Sequence, residues 1–167
     1  IDMPELRSTL STLTSGGAYP FDIVGMDACL MGMIEVDNQI KPYANIRVGS
    51  EENEPGDGWP YDTILSALVA NPAMSATTLA TDIVDFYYSS YGNNNTQSAV
   101  NLGSSYTTLN TAVNNLAVAL MNNGANYISQ IQAARNASTQ FAYTYYIDLW
   151  DFADWLQLYV PDPTINS

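Results

Sequence analysis

The sequence predicts an α/β fold with a mostly parallel sheet, on three observations. Short apolar runs alternate with helical stretches in the order strand, helix, strand, helix, strand, helix, which is the signature of helices packed on a parallel or doubly wound sheet. The run Phe21-Asp22-Ile23-Val24-Gly25-Met26 is β-branched and apolar on both sides of a single acid, as a strand covered on both faces is. The 167 residues are 47% hydrophobic and 13% charged, enough apolar material for the core of a single domain spanning residues 1–167.

In chain order, Asp2 stands at an N-cap position with Pro4 in the first turn and Glu5 three residues after the cap. Leu6 and Leu10 form an i, i+4 stripe that ends at Gly16-Gly17. After the 21–26 strand, residues 30–41 place Leu30, Met33, Ile34 and Ile40 among polar residues, and Pro42 stops that helix. Residues 45–50 read as a second strand, followed by the acidic, Gly-rich loop 51–58. A helix is expected over 62–70. Ser75 caps another to about residue 90, with Leu79, Ile83, Val84 and Phe86 inward. Residues 92–95 are a loop and 97–102 a third strand. Ser104 or Ser105 caps a helix ending at Gly124, and helices follow over 125–136 and 148–158. Three strands are few for so many helices, and an open strand edge is a liability. The expectation is that further strands precede residue 1, in a longer polypeptide that was cut.

Composition narrows the function. Four Lys+Arg against 17 Asp+Glu give a net charge of −13. Nucleic acid and anionic membrane surfaces need clustered positive charge and are excluded as partners. A cationic ligand suits this charge. No apolar run approaches the roughly 18 residues of a spanning helix, so membrane insertion is not expected. The chain has one Cys and no His, so it forms no internal disulfide and contains no complete Ser/His, Cys/His or zinc–His site.

Cys29 follows the first strand, and ligands of open parallel sheets bind beyond the carboxyl ends of strands. At the expected start of the 30–41 helix, free N–H groups and the helix dipole favour an anion. The competing reading is a small buried hydrophobe, a common fate of a free Cys. The order of apolar strand, acid, Ala and Cys parallels the Q-A-C-x-G nucleophile segment of caspases, where the His lies about 50 residues upstream. That spacing puts a His roughly 20 residues before residue 1, so a cut just upstream accounts for its absence.

Three segments in order carry a closer resemblance: Phe21-Asp22-Ile23-Val24-Gly25-Met26-Asp27-Ala28-Cys29-Leu30-Met31; Val48-Gly49-Ser50-Glu51-Glu52 with Glu54-Pro55-Gly56-Asp57-Gly58-Trp59-Pro60-Tyr61; and the weaker Tyr146-Ile147-Asp148-Leu149-Trp150-Asp151-Phe152. Together they resemble the Cys-bearing heavy chain of the clostripain family of cysteine peptidases. The resemblance implies a caspase-like α/β/α sandwich, a His/Cys dyad and cleavage after Arg or Lys. It also implies self-processing into a His-bearing light chain and a Cys-bearing heavy chain. Matched position by position, it makes Cys29 the nucleophile and Asp27 and Asp57 the acidic walls of the pocket for the cationic side chain. Paired carboxylates suit a guanidinium on chemical grounds as well. Asp27 also fits a helix N-cap and Asp57 a turn between two glycines.

Glu51, Glu52 and Glu54 read as a solvated rim. Calcium is implied by the resemblance alone, since the loop lacks a calcium-loop spacing such as the EF-hand's, and no metal ligand is assigned. Trp59 and Tyr61 read as core or loop anchors. Asp148, Asp151 and Asp154 read as the exposed face and first turn of a helix. The implied partners are a peptide or protein substrate with Arg or Lys and a His-bearing upstream segment or light chain. The implied setting is a bacterial secreted or cell-surface protein. The isolated chain is expected to lack useful activity. Two rival readings are a non-catalytic acidic binding module, whose thiol would be inert, and a degenerate peptidase with no His upstream.

Overall fold

The structure, a computed structural model, describes residues 2–92 and 96–166. Residue 1 of the first capping segment and residues 93–95 of the expected 92–95 loop lie outside the described residues. The chain divides into two compact units, Ile1–Ser105 and Tyr106–Ser167.

The first unit opens with helix α1, Met3–Leu13. Its start follows from its sequence. Asp2 Oδ1 accepts from the Glu5 N–H at 2.8 Å and Glu5 Oε2 accepts from the Asp2 N–H at 2.9 Å, a reciprocal capping box. Strand β1 is Phe21–Gly25, helix α2 is Ile34–Ile40 and strand β2 is Ala44–Ser50. Helices α3, Tyr61–Ala70, and α4, Ala76–Tyr91, lead to strand β3, Gln97–Asn101. The sheet order is β1-β2-β3.

β1 and β2 run parallel, with Ile23 opposite Ile46 and Gly25 opposite Val48. β3 runs antiparallel to β2, with Ile46 opposite Asn101 and Ser50 opposite Gln97. A strand joined by one crossover helix returns parallel. Two helices, α3 and α4, lie between β2 and β3, so the chain re-enters the sheet from the opposite end.

β2 is the central strand, and its alternation sets the layers. Ile46 and Val48 are buried with Trp59, Ile64, Ala80, Ile83 and Tyr87. On the opposite face, Arg47 reaches Asp37 of α2. Helices therefore cover both faces of the strand, as expected of the α/β/α class. The α4 face turned to the core centres on Ala80, Ile83 and Tyr87, while Leu79, Val84 and Phe86 flank it as partly buried neighbours. β1 is more exposed than β2, with Phe21 40% accessible.

In the second unit, helix α5 is Ser104–Asn123, helix α6 is Ile128–Ala137 and helix α7 is Leu149–Tyr159. Ala119, Ala134, Leu156, Val160 and Ile165 form a core there. Asp148 caps α7 by accepting from the Asp151 N–H at 2.7 Å. Asp151 Oδ2 accepts from the Thr139 N–H and hydroxyl at 2.7 and 2.8 Å. Those acids are structural, as the helix pattern implies. Among the described residues no helix is long and apolar enough to cross a membrane.

Candidate active site

β1 hands the chain to a turn at the carboxyl end of the parallel pair. The Met26 N–H donates to Val48 O at 2.9 Å, the last tie before the turn. Asp27, Ala28 and Cys29 are exposed, which removes the buried-hydrophobe reading of the thiol.

The helix expected from residue 30 begins only at Ile34. Cys29 is therefore held in a turn, and the helix-dipole argument for its anion does not apply. Leu30 and Gly32 bind the chain at and just past the end of β2 instead. The Leu30 N–H donates to Glu52 O at 3.3 Å and the Gly32 N–H to Ser50 O at 2.7 Å. Leu30 takes a left-handed conformation, φ +63°, which is costly for a bulky residue and concentrates at functional sites. Gly32 lies so close to β2 that a Cβ would stand 2.7 Å from the Glu51 nitrogen.

Arg47 braces this turn from beneath. Arg47 and Asp37 are 2% and 3% exposed. The guanidinium donates to both Asp37 oxygens at 2.7 and 3.1 Å, to Gly32 O at 3.3 Å and to Gly49 O at 3.2 Å. It also reaches the Ser98 hydroxyl at 2.9 Å. A fully bonded buried pair of this kind ties α2, β2, β3 and the turn after β1 to one another.

The loop after β2 supplies the other wall. The Glu54 N–H donates to Cys29 Sγ at 3.3 Å. Asp27 Oδ2 accepts from the Trp59 N–H at 3.1 Å and from the Tyr61 hydroxyl at 3.0 Å. Gly58 adopts φ +70°, and a Cβ there would stand 2.6 Å from Asp27 Oδ2, so any other residue would be strained and would push the Asp27 carboxylate aside. The Tyr91 hydroxyl donates to Gly58 O at 2.6 Å and pins this loop to α4. Trp59 is buried in the core and donates its indole N–H to Glu54 Oε2 at 2.7 Å.

Burial, then the neighbouring Asp27 carboxylate, pushes the Glu54 carboxyl up to about 8. Burial and the bond to Asp27 also raise the Tyr61 phenol.

Asp27 and Cys29 thus share one turn, and Asp57 sits beside Gly58, the residue that abuts Asp27, with its own side chain exposed. Sequence reasoning left Glu54 in the solvated rim, whereas it is half-buried and lies against both Asp27 and Cys29. It passed over Arg47 and Asp37. The available signal was a cation inside the apolar run Ile46-Arg47-Val48, which demands a buried partner. Among the described residues no three His, Cys, Asp or Glu side chains converge as a metal site.

A cysteine thus stands at the carboxyl end of a parallel strand, faced by a braced acidic loop. A sequence model of the clostripain family matches residues 1–160. The chain belongs to the clostripain family.

Solved structures agree on the fold. A clostripain from Bacteroides thetaiotaomicron, in complex with the peptide inhibitor BTN-VLTK-AOMK, superposes with a TM-score of 0.63 at 18% identity, over 99% of this chain and 68% of that one. A secreted C11 cysteine protease from the same species, bound to an irreversible peptide inhibitor, gives 0.61 at 23% identity over 99% and 44%. An inactive zymogen C11 protease from Parabacteroides distasonis gives 0.54 at 20% identity over 99% and 44%. A search of curated proteins returns no match. The clostripain family and these neighbours are cysteine proteases, and the chain has their α/β fold.

Proposed function

We propose that this chain supplies the nucleophile and the cation pocket of a cysteine endopeptidase that cuts after Arg or Lys. The observation that carries the reading is the exposed Cys29 thiol, two residues after Asp27, with a loop N–H directed at its sulfur at 3.3 Å. Cys29 attacks the scissile carbonyl. The S–C bond forms, the C–N bond breaks and the amine leaves with a proton. Water then cleaves the thioester, releasing the carboxylate and restoring the thiol. The proton donor is a His from a segment outside this sequence, because the chain has none. The exposed edge strand β1 is where upstream strands would pair. The backbone N–H of Cys29 is one donor to the developing oxyanion.

Asp27 and Asp57 receive the substrate's cation. The Lys in the inhibitor BTN-VLTK-AOMK of the Bacteroides neighbour supports this specificity. The zymogen neighbour supports maturation by cleavage, and the secreted one supports a place outside the bacterial cytoplasm.

Cleavage-site profiling of the full-length protein on a peptide library tests the proposal. Cuts after Arg and Lys are expected, lost in Cys29→Ala. Asp27→Asn should lower kcat/KM for Arg peptides by roughly tenfold or more, the value of one charge-assisted hydrogen bond. Cleavage without that preference, or a thiol inert to alkylation, would favour the acidic binding module or another specificity.

A further inference from the structure

The geometry points to Glu54 as a third carboxyl of the cation pocket, one that exchanges its proton for the substrate's charge. In the empty pocket it is the protonated partner of Asp27. An entering Arg or Lys side chain sends that proton to solvent and leaves Glu54 ionised against the cation. This inference rests on the Arg/Lys peptidase reading above.

The argument starts from hydrogen-bond supply. Ionised carboxylates only accept, so two of them in contact need a shared proton. Glu54 lies within hydrogen-bonding reach of Asp27. Asp27 Oδ2 already has two donors, the Trp59 N–H and the Tyr61 hydroxyl. Glu54 has one, the Trp59 indole on Oε2, while its Oε1 is buried with no donor among the described residues. Glu54 is the less well supplied with donors, and the shared proton belongs on it. Arg47 is held by Asp37 on the other face of β2 and supplies nothing here.

The groups facing Glu54 come from four elements. The β1 turn brings Asp27 and Cys29, and the loop brings Trp59. Tyr61 comes from the start of α3 and Tyr87 from α4. The Tyr61 and Tyr87 phenols are both raised, Tyr87 to about 12, so they take no part in an exchange near neutrality. A guanidinium or ammonium in the pocket brings donors to both carboxyls at once and makes the shared proton redundant. Glu54 also holds its backbone N–H on Cys29 Sγ, so the residue that senses the cation touches the nucleophile as well.

The test is calorimetry on the full-length protein carrying Cys29→Ala, which removes thiol protons from the count. An Arg-terminated peptide and its neutral citrulline counterpart are titrated at pH 7 in buffers of different ionisation enthalpy. The Arg peptide is expected to release close to one proton per complex and the citrulline peptide almost none. Raising the pH well beyond the Glu54 transition should abolish the release. Glu54→Gln keeps the shape and an acceptor for Trp59. It should remove the release and lower the Arg-over-citrulline preference roughly tenfold. Arg preference without proton release, or release that survives Glu54→Gln, overturns the inference while leaving the specificity reading intact. No preference for Arg over citrulline removes both.

Discussion

At the scale of single residues, charge placement decides most of what this chain can do. Arg47 and Asp37 are buried and bonded to one another, so removing one partner strands the other. Arg47→Ala or Asp37→Ala should cost about 3–5 kcal/mol, read as a loss of unfolding free energy in denaturant titration. The turn that carries Cys29 should loosen with it, because Gly32 O loses its donor.

Glu54 gives a pH signature of opposite sign to an ordinary paired carboxylate. Its carboxyl rises from 4.5 to about 8 in the fold. Across that interval the folded chain keeps a proton that the unfolded chain releases, so this group's contribution to stability falls as pH climbs from about 4.5 to about 8. Glu54→Gln lacks the effect. Its melting temperature relative to the wild type should therefore increase between pH 5 and pH 8, and a difference that stays flat would show that Glu54 is ionised throughout.

Cys29 and Asp27 could be singled out from sequence because they share one short motif, and Asp57 because it lies in a second, Gly56-Asp57-Gly58-Trp59. The burial of Glu54 was not legible, because it depends on how the loop folds Trp59 back onto it and on Asp27 arriving from the β1 turn.

At the scale of elements, the strands and most helices could be read from period and caps, to within a few residues. The capping box at Asp2 and Glu5 and the Ser75 cap are local chemistry, and local chemistry is visible in sequence. Two features were not visible. The apolar pattern Leu30, Met33, Ile34 suggested a helix from residue 30, yet Leu30 and Gly32 spend their N–H groups on Glu52 and Ser50, at and just past the end of β2. The direction of β3 depends on two helices rather than one separating it from β2, which periodicity does not translate into strand sense.

The loop that closes the site depends on glycine at one point. Gly58→Ala forces a side chain into a left-handed conformation, costing about 1–2 kcal/mol, and drives its Cβ against Asp27. The expected outcome is a small drop in melting temperature with a larger fall in kcat/KM for Arg substrates. Equal loss on neutral substrates would place the damage at the nucleophile instead.

At the scale of the whole molecule, the chain is strongly acidic, with one exposed thiol and no His. Membership of the clostripain family accounts for its fold, and the proposed role of Cys29 rests on the arrangement around it. If the acid/base is a His outside the sequence, residues 1–167 expressed alone should hydrolyse Arg and Lys peptides no faster than their own Cys29→Ala variant, whereas the full-length protein should be active. Fluorogenic peptide assays on both proteins check this.

The central claim is that Cys29 is a nucleophile addressed by a cationic side chain. Intact-mass spectrometry of the full-length protein after incubation with a Lys-containing irreversible peptide inhibitor tests it most directly. The account predicts one adduct per molecule, mapped to Cys29, absent from Cys29→Ala and formed far more slowly by the inhibitor with a neutral residue in place of Lys. An adduct on another residue, or equal labelling by the neutral inhibitor, would contradict it.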